Sequence, residues 1–338
     1  FPDASINAIN FILTGPMLLA CITQLGAGFL MQRFTKKSLL IVFWSVFTVS
    51  SIFGAAIDDI VYIMVMRAIS GLSIGGLIPL AVALITQQYP DSVKRSKIIG
   101  YFFAAMAAVG AVESLAGGYL ATISWQNAYL FYWIAVPVLL GLIIFIPSTP
   151  EGVETSGPEE GAAEENGDDI LGSKETLPHP WASSIANGLS AMIASLVYGI
   201  IVFQAALVIA EIGAGASMEG GIASAIGTVT TAIIGVIFGF VLAKVGRAMP
   251  ILIYAFIAVG LLVLFVNPDL MTFYVSIVIM GIGYGFVMPY FSARASAISI
   301  ATDNPVHISV TTVLESVGTA SSSFVATFLT VSYTHLTL

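Results

Sequence analysis

Charge is what this sequence has least of. Asp, Glu, Lys and Arg make up 9% of its 338 residues, against 58% hydrophobic residues. A soluble domain covers itself with roughly 25% charged residues, so the composition excludes a fold that lives in water. Cysteine is reduced to Cys21 alone, which excludes an intrachain disulfide and reads as a small apolar helix residue. The three histidines, His179, His307 and His335, are too scattered for a zinc site. No cluster of His, Asp or Glu marks an enzyme centre. The nearest approach to a phosphate loop, Gly167-x-x-x-x-Gly172-Ser-Lys174, has its last two residues in the wrong order and lies among acids. No cofactor, metal or nucleic-acid partner is therefore expected. The net charge of -8 comes mostly from one segment and says little about the rest of the surface.

What remains is long apolar runs. Blocks of roughly 20 uncharged residues are long enough to span a bilayer, and a helix is the structure that satisfies its own backbone there. They do not alternate, as the strands of a membrane barrel would. The runs are 6–31, 39–57, 60–89, 98–123, 128–146, 181–210, 220–243, 249–266, 270–293 and 308–331. The third is broken only by Arg67, the fourth by Glu113 and the tenth by Glu315. The chain thus reads as an all-α membrane protein of about ten spans. Residues 1–146 are expected to form one helical bundle and 181–331 a second. Between them, 147–180 holds nine Asp/Glu with Gly and Pro, a composition that predicts a disordered linker. Residues 332–338 are polar, do not extend the last span, and are set apart as a tail that need not be native.

Lys and Arg favour the cytoplasmic side of a membrane. With the first loop inside, Arg33, Lys36, Lys37, Lys94, Arg95, Lys97, Lys174, Lys244, Arg247 and Arg294 are all inside. The outside loops carry Asp58, Asp59, Glu211, Glu219 and Asp269 instead. This orientation suits a multi-pass protein of the cytoplasmic membrane, with the acidic linker inside and both termini outside. The chain also opens at Phe1 rather than methionine. One further helix at each end would return both termini to the cytoplasm, so a fragment is expected.

The two bundles repeat. Gly71, Gly75 and Pro79 in the third span recur as Gly281, Gly285 and Pro289 in the ninth, 210 residues later. Gly28-Phe-Leu-Met-Gln-Arg33-Phe-Thr-Lys36 after the first span recurs as Gly239-Phe-Val-Leu-Ala-Lys244-Val-Gly-Arg247 after the seventh, 211 residues later. Six spans separate the copies, so the halves have the same orientation and form a parallel repeat. The two halves of major facilitator transporters are related in this way.

These residues carry a family resemblance. Gly26-Ala-Gly28-Phe-Leu30-Met-Gln-Arg33-Phe-Thr-Lys36-Lys37 resembles the cytoplasmic G-x-L-a-D-R-x-G-R-R signature of the major facilitator superfamily, with Gln32 in the acidic position and Thr35 in that of the second glycine. Lys244-Val-Gly246-Arg247 is nearer the usual K-x-G-R. Arg67-x-x-x-Gly71-x-x-x-Gly75 resembles the fourth-helix arginine motif, and Trp125-Gln-Asn-Ala-Tyr129-Leu-Phe131 the start of the sixth helix. The resemblance covers nearly the whole chain and assigns its spans to family helices 2 to 11. It departs in helix 5, where Glu113-Ser114 precedes Gly117-Gly118 in place of the Gly-Pro of drug antiporters.

The resemblance implies a secondary transporter that works by alternating access. It implies that the loop with Gly28, Arg33 and Lys36, and its second copy with Gly239, Lys244 and Arg247, latches helix ends across the halves. It also implies that helices 4 and 10, with their glycines and with Pro79 and Pro289 to bend them, rock against neighbours. Family helices 7 and 10 line the central cavity, which makes Tyr198, Gln204, Tyr284 and Tyr290 candidate solute contacts. Plain helix packing is the competing reading for the glycines and the cavity candidates, and simple positive-inside anchoring for Arg33, Lys36 and Lys37.

Ionisable groups inside a membrane are costly and are functional candidates. Arg67 and Glu113 lie ~10 Å and ~15 Å from the outer ends of consecutive spans, counting 1.5 Å per residue, and an ion pair between them is expected. Glu315 lies ~12 Å from the inner end of its span with no cation at its depth. Thr311, Thr319 and Ser322 share its helical face at i-4, i+4 and i+7. That stripe suits a helix lining a wet cavity, with Glu315 carrying a proton; the competing reading is a Glu reaching to the inner interface. The expected function is proton-coupled transport of a small solute by a monomer, leaning to efflux of a hydrophobic compound because the chain is rich in Phe and Met. Proton-linked nutrient uptake stays open, favoured by the altered helix-5 motif. A polytopic sensor or enzyme is the remaining alternative.

Overall fold

The computed structural model describes residues 6–146, 171, 178–203, 209, 217–266 and 269–336. Among them there are helices and turns but no strand. The helices are α1 (Ile6–Leu30), α2 (Lys36–Ile52), α3 (Ile60–Gly75), α4 (Leu77–Gln88) and α5 (Ser92–Ile123). A 3-10 segment, Trp125–Ile134, leads into α6 (Ala135–Phe145). The second half has α7 (Pro180–Phe203), α8 (Ser217–Val245), α9 (Met249–Val266), α10 (Leu270–Gly285), α11 (Val287–Thr302) and α12 (Val306–Leu336). Seven apolar helical stretches are long enough to cross a bilayer, and the longest, Ile222–Val266, contains two helices. The chain is an integral, multi-pass membrane protein. Side chains such as Phe145, Phe265 and Ile251 point outward, more than 70% exposed, as a lipid-facing surface requires.

The third and ninth spans are each two helices. Pro79 and Pro289 have no N–H to give to the carbonyls of Gly75 and Gly285, and their rings crowd those carbonyls. The ladder therefore breaks three residues before each proline, at Gly76 and Phe286. A proline also marks the end of the 3-10 segment: Pro137 leaves the Trp133 carbonyl without its α-helical donor. Helix α12 continues to Leu336, five residues past the expected end of the last span at Val331. Nothing stops it, because no Gly or Pro follows Gly318.

The repeat is visible in the packing. A Cβ on Gly71 would strike the backbone of Pro16, and one on Gly75 the carbonyl of Ala20 and the hydroxyl of Thr23. In the second half, a Cβ on Gly285 would come within 2.7 Å of Ile234 and 3.1 Å of Thr231. Ala20 and Thr23 lie 211 residues before Thr231 and Ile234. Each half thus packs the same helix pair, α1 on α3 and α8 on α10, with a glycine at the same position letting the helices approach. The spans also begin alike: Asp59 caps α3 by accepting from the Tyr62 N–H at 2.8 Å, and Asp269 caps α10 by accepting from the Thr272 N–H at 2.8 Å.

The two copies of the loop motif differ where their sequences differ. Gly246 has φ 57, a left-handed conformation that favours glycine. Its counterpart Thr35 is extended, with φ -65 and ψ 138, and accepts a bond from the Ser38 N–H as the cap of α2. Thr35 therefore replaces the family's second glycine without strain.

The halves meet along two seams. On one, α1 crosses α12, and Gly28 lies against Ser309 and the backbone of Val306. On the other, α5 crosses α8, where Gly100 faces the carbonyl of Gly235 and Gly239 faces Lys97. Both seams run toward the face that carries Arg33, Lys36, Lys94, Lys97 and Lys244, the basic face of the molecule. At that face Leu171 packs in the second seam beside Ser92, Val93 and Ser96 of α5 and Gly239, Leu242 and Ala243 of α8. Apart from Leu171 and residues 178–180, the acidic linker lies outside the described residues.

Candidate functional site

Helix α12 turns His307, Thr311, Glu315 and Thr319 to one side, at intervals of four residues. Helix α7 opposes them with Ser184, Asn187 and Ser195. The first three are paired in order. The Ser184 hydroxyl and His307 Nδ1 are 2.7 Å apart. Asn187 Nδ2 donates to Thr311 Oγ1 at 3.2 Å and to the Phe291 carbonyl at 2.9 Å. Ser195 Oγ donates to Glu315 Oε1 at 3.0 Å. Such a ladder lets two helices bury polar side chains against each other in lipid.

Glu315 ends this ladder and is 6% exposed, so it does not reach to the interface. Its Oε1 also accepts from Thr319 Oγ1 at 3.1 Å and from the Tyr284 hydroxyl at 3.5 Å. The Tyr284 ring stacks on Tyr198 with centroids 4.1 Å apart. Three hydroxyl donors and two stacked rings surround one carboxyl group. No Lys, Arg or His forms an ion pair with it among the described residues. Hydroxyls are donors that a carboxylate uses well, yet they bring no charge to cancel its own. A carboxyl group so placed gains by taking up a proton or a cationic partner.

Side-chain hydrogen bonds join the halves toward the basic face. Gln24 Nε2 of α1 donates to Ser316 Oγ of α12 at 2.8 Å. Gln32 Nε2 donates to Asn304 Oδ1 at 3.0 Å. Thr86 Oγ1 and Ser296 Oγ lie 2.7 Å apart. Gln32 fills the signature's acidic position and grips the start of α12, because Asn304 in turn accepts from the Val306 N–H at 3.1 Å. Lys36 donates to Gln87 Oε1 at 3.0 Å, tying α2 to α4 within one half. Arg33 and Lys244 are exposed, and Arg247 makes a contact of its own.

Arg67 is placed differently from expectation. Its Nη1 donates to the Tyr132 hydroxyl at 3.3 Å, and its guanidinium carbon sits 5.3 Å from the Tyr129 ring centroid. Trp125 packs edge-on against Tyr129, and Phe47 against Tyr132. Glu113 is exposed on α5, and no ion pair joins it to Arg67. The expected Arg67–Glu113 pair is therefore corrected. Similar depth on consecutive helices does not fix which way the side chains point, and the aromatic residues of the 3-10 segment reach Arg67 first.

Of the other candidates, Tyr290 is 1% exposed. It packs against Phe291, with its hydroxyl 3.5 Å from Arg294 Nη1 and away from the Glu315 cluster. Gln204 lies outside the described residues. Thr311 belongs to the ladder rather than to the carboxyl group, and Ser322 bonds the Thr319 carbonyl at 2.7 Å. Sequence reasoning does not single out Ser195, Asn187, Ser184, Gln24 or Asn304. The recurrence of polar residues at 184, 187 and 195 on one face of an apolar helix is the signal that could have found the first three.

The family model described as Major Facilitator Superfamily matches residues 3–330. Among curated proteins, the methylenomycin A resistance protein of Bacillus subtilis (strain 168) is 27% identical over 135 residues, 40% of this chain and 28% of that protein. The multidrug transporter mfsC of Aspergillus fumigatus is 26% identical over 40% of this chain and 25% of its own length. The galactose-proton symporter of Escherichia coli (strain K12) is 24% identical over 42% of this chain and 30% of its own length. The matched region thus spans less than a third of each of these relatives. Among solved structures, the proton:xylose symporter XylE bound to 6-bromo-6-deoxy-D-glucose superposes with a TM-score of 0.75. It is 15% identical, over 97% of this chain and 81% of that one.

Proposed function

This chain belongs to the Major Facilitator Superfamily, and from that premise we propose that it is a secondary transporter that moves a small solute by alternating access, with Glu315 as the proton carrier. The observation that carries the reading is the buried Glu315 carboxyl group, held by Ser195, Thr319 and Tyr284 with no cation beside it among the described residues. A charge in that setting has to be cancelled. A proton and a solute that compete for one carboxyl group are coupled by that competition alone.

We place the basic face on the inner side of a cytoplasmic membrane, a reading supported by the Lys and Arg of its loops. Gln24–Ser316, Gln32–Asn304 and Thr86–Ser296 then act as the inner gate. The signature loop with Gly28, Arg33 and Lys36 is part of that gate. The solute is a hydrophobic compound moved outward, and the transporter works as a monomer. The stacked Tyr198 and Tyr284 suit such a solute, and two relatives are named for methylenomycin A resistance and multidrug transport. A second reading, proton-linked nutrient uptake, is favoured by Glu113-Ser114 in place of Gly-Pro in helix 5. The galactose-proton symporter among the relatives supports it as well.

The test uses everted membrane vesicles energised by respiration, with ethidium as the probe. The protein should accumulate ethidium in proportion to the proton gradient, Glu315→Gln should abolish this, and Glu315→Asp should keep a fraction of it. Accumulation by Glu315→Gln at the unsubstituted rate would overturn the proton-carrier role. Gradient-driven accumulation of galactose by whole cells, with no ethidium movement, would select uptake over efflux.

A further inference from the structure

We infer that Tyr198 is a positioning residue for Glu315, seated by Gly227 of α8, an inference that rests on Glu315 being the proton carrier. Glu315 Oε1 accepts from Ser195 at 3.0 Å, from Thr319 at 3.1 Å and from the Tyr284 hydroxyl at 3.5 Å. The Tyr284 bond is the longest of the three, so it is the first that a small turn of its donor would lose. A tyrosine ring swings about its side-chain torsions unless a neighbour holds it. Here the neighbour is Tyr198 of α7. Its ring lies 11° from parallel to that of Tyr284, with centroids 4.1 Å apart. Tyr198 is itself buried, at 7% exposed, so whatever seats its ring also sets the ring of Tyr284.

The seat is Gly227. A Cβ at that position would come within 2.8 Å of the Tyr198 hydroxyl oxygen, and 4.0 Å from the ring carbon that bears it. The first distance is a clash and the second is ordinary contact, so the glycine makes room for the hydroxyl alone. Packing of α8 on α10 does not ask for it. The atom of α10 that such a Cβ would meet, on Ile277, is 3.4 Å away, again ordinary contact. The repeat says the same. Gly227 stands 211 residues after Pro16, and Pro16 lies against Gly71 where Gly227 lies against Gly281. The first half thus carries a proline ring at the position where the second half keeps its backbone bare.

Four helices then bear on one carboxyl group in order. Gly227 of α8 admits the Tyr198 hydroxyl, Tyr198 of α7 carries the Tyr284 ring on its face, and Tyr284 of α10 gives its hydrogen to Glu315 of α12. A side chain at 227 would push on the Tyr198 hydroxyl. That ring is stiff and stacked, and it yields only by sliding across Tyr284. The Tyr284 hydroxyl then turns away from Oε1, while Ser195 and Thr319 keep their bonds. Tyr198 therefore acts on the proton site through Tyr284.

The experiment is infrared difference spectroscopy on the reconstituted protein, with ethidium accumulation in everted vesicles measured alongside. The spectrum reads the C=O band of protonated Glu315, identified by its loss in Glu315→Gln. A carbonyl that loses a hydrogen bond absorbs at higher wavenumber. Gly227→Ala should move the band upward and lower ethidium accumulation about tenfold, the rate counterpart of a modest overpacking cost. Tyr198→Leu, which removes the stack and leaves α8 untouched, should move the band the same way. In a Tyr198→Phe background the obstructing hydroxyl is gone, so there Gly227→Ala should change neither the band nor the accumulation relative to Tyr198→Phe alone. A Gly227→Ala effect of equal size in both backgrounds, or an unmoved band in Tyr198→Leu, would overturn the role of Tyr198 and leave Glu315 as the carrier. Ethidium accumulation by Glu315→Gln at the unsubstituted rate would overturn the carrier reading itself, whatever the band does at Gly227.

Discussion

Thr86 and Ser296 hydrogen-bond to each other at 2.7 Å, and they stand 210 residues apart. That is the interval separating Gly71, Gly75 and Pro79 from Gly281, Gly285 and Pro289. The two residues are therefore counterparts in the two halves. A pair of counterparts can touch only where the axis relating the halves passes between them. The bond marks that axis on the basic side, between α4 and α11.

One interhelical hydroxyl bond in a membrane protein contributes about 0.6 kcal/mol on average. Thr86→Val and Ser296→Ala should each shift the equilibrium between closed and open basic face by about threefold toward open, at 1.4 kcal/mol per tenfold. The double substitution should shift it no further than either single one, because both remove the same bond. Spin-label distances across the basic face read this directly. Additive shifts would mean that the two hydroxyls act separately.

Gly75 faces a backbone carbonyl, whereas Gly285 faces the side chain of Ile234 first and backbone only at 3.1 Å. Gly75→Ala should therefore cost about 1 to 3 kcal/mol of stability, the range for overpacking a tight contact, and Gly285→Ala less. Gly26 has nothing within 4 Å of an added Cβ, so Gly26→Ala should stay within about 0.5 kcal/mol of the parent. Thermal unfolding in detergent, followed by size-exclusion profile, ranks the three. An equal effect at Gly75 and Gly26 would contradict the close approach of α3 to α1.

Arg67 is held by a hydroxyl and a ring face, and Lys cannot reproduce the flat, forked guanidinium. Arg67→Lys should cost about 1 to 2 kcal/mol, the scale of a desolvated cation–π contact. Glu113→Gln should be close to neutral. Both are read as shifts in the same thermal unfolding in detergent. Were the two residues an ion pair, removing either partner would cost about 3 to 5 kcal/mol, so matched losses at Arg67 and Glu113 would restore the pairing that the geometry rejects.

Much of the fold was legible because a membrane imposes few rules and the sequence obeys them openly. Uncharged runs of bilayer length became rods, and the glycines repeated at 210 residues became matched helix contacts. The same register held more than was taken from it. The helix caps Asp59 and Asp269, again 210 residues apart, and the axis pair Thr86 and Ser296 stood in plain sight as ordinary polar residues. The site was less legible. Glu315 was conspicuous because a lone carboxylate in a span is costly, but its partners Ser195 and Tyr284 come from other helices. Their approach depends on how α7, α10 and α12 are rotated about their own axes. The Arg67–Glu113 expectation failed for the same reason, since depth along a helix can be counted in a sequence and the direction a residue faces across three helices cannot.

The two seams are counterparts too, yet they are built of different material. Gln24 of α1, with its bond to Ser316, stands 211 residues before Gly235 of α8, where bare backbone meets Gly100 and Ala104. One edge is fastened by a side-chain hydrogen bond that has to let go, while at the other bare backbone runs close to bare backbone. The arrangement is that of a door with its hasp at α1 and α12 and its hinge at α5 and α8. Such a door swings on one side, so the basic ends of α1 and α12 should part further than those of α5 and α8 whenever it opens.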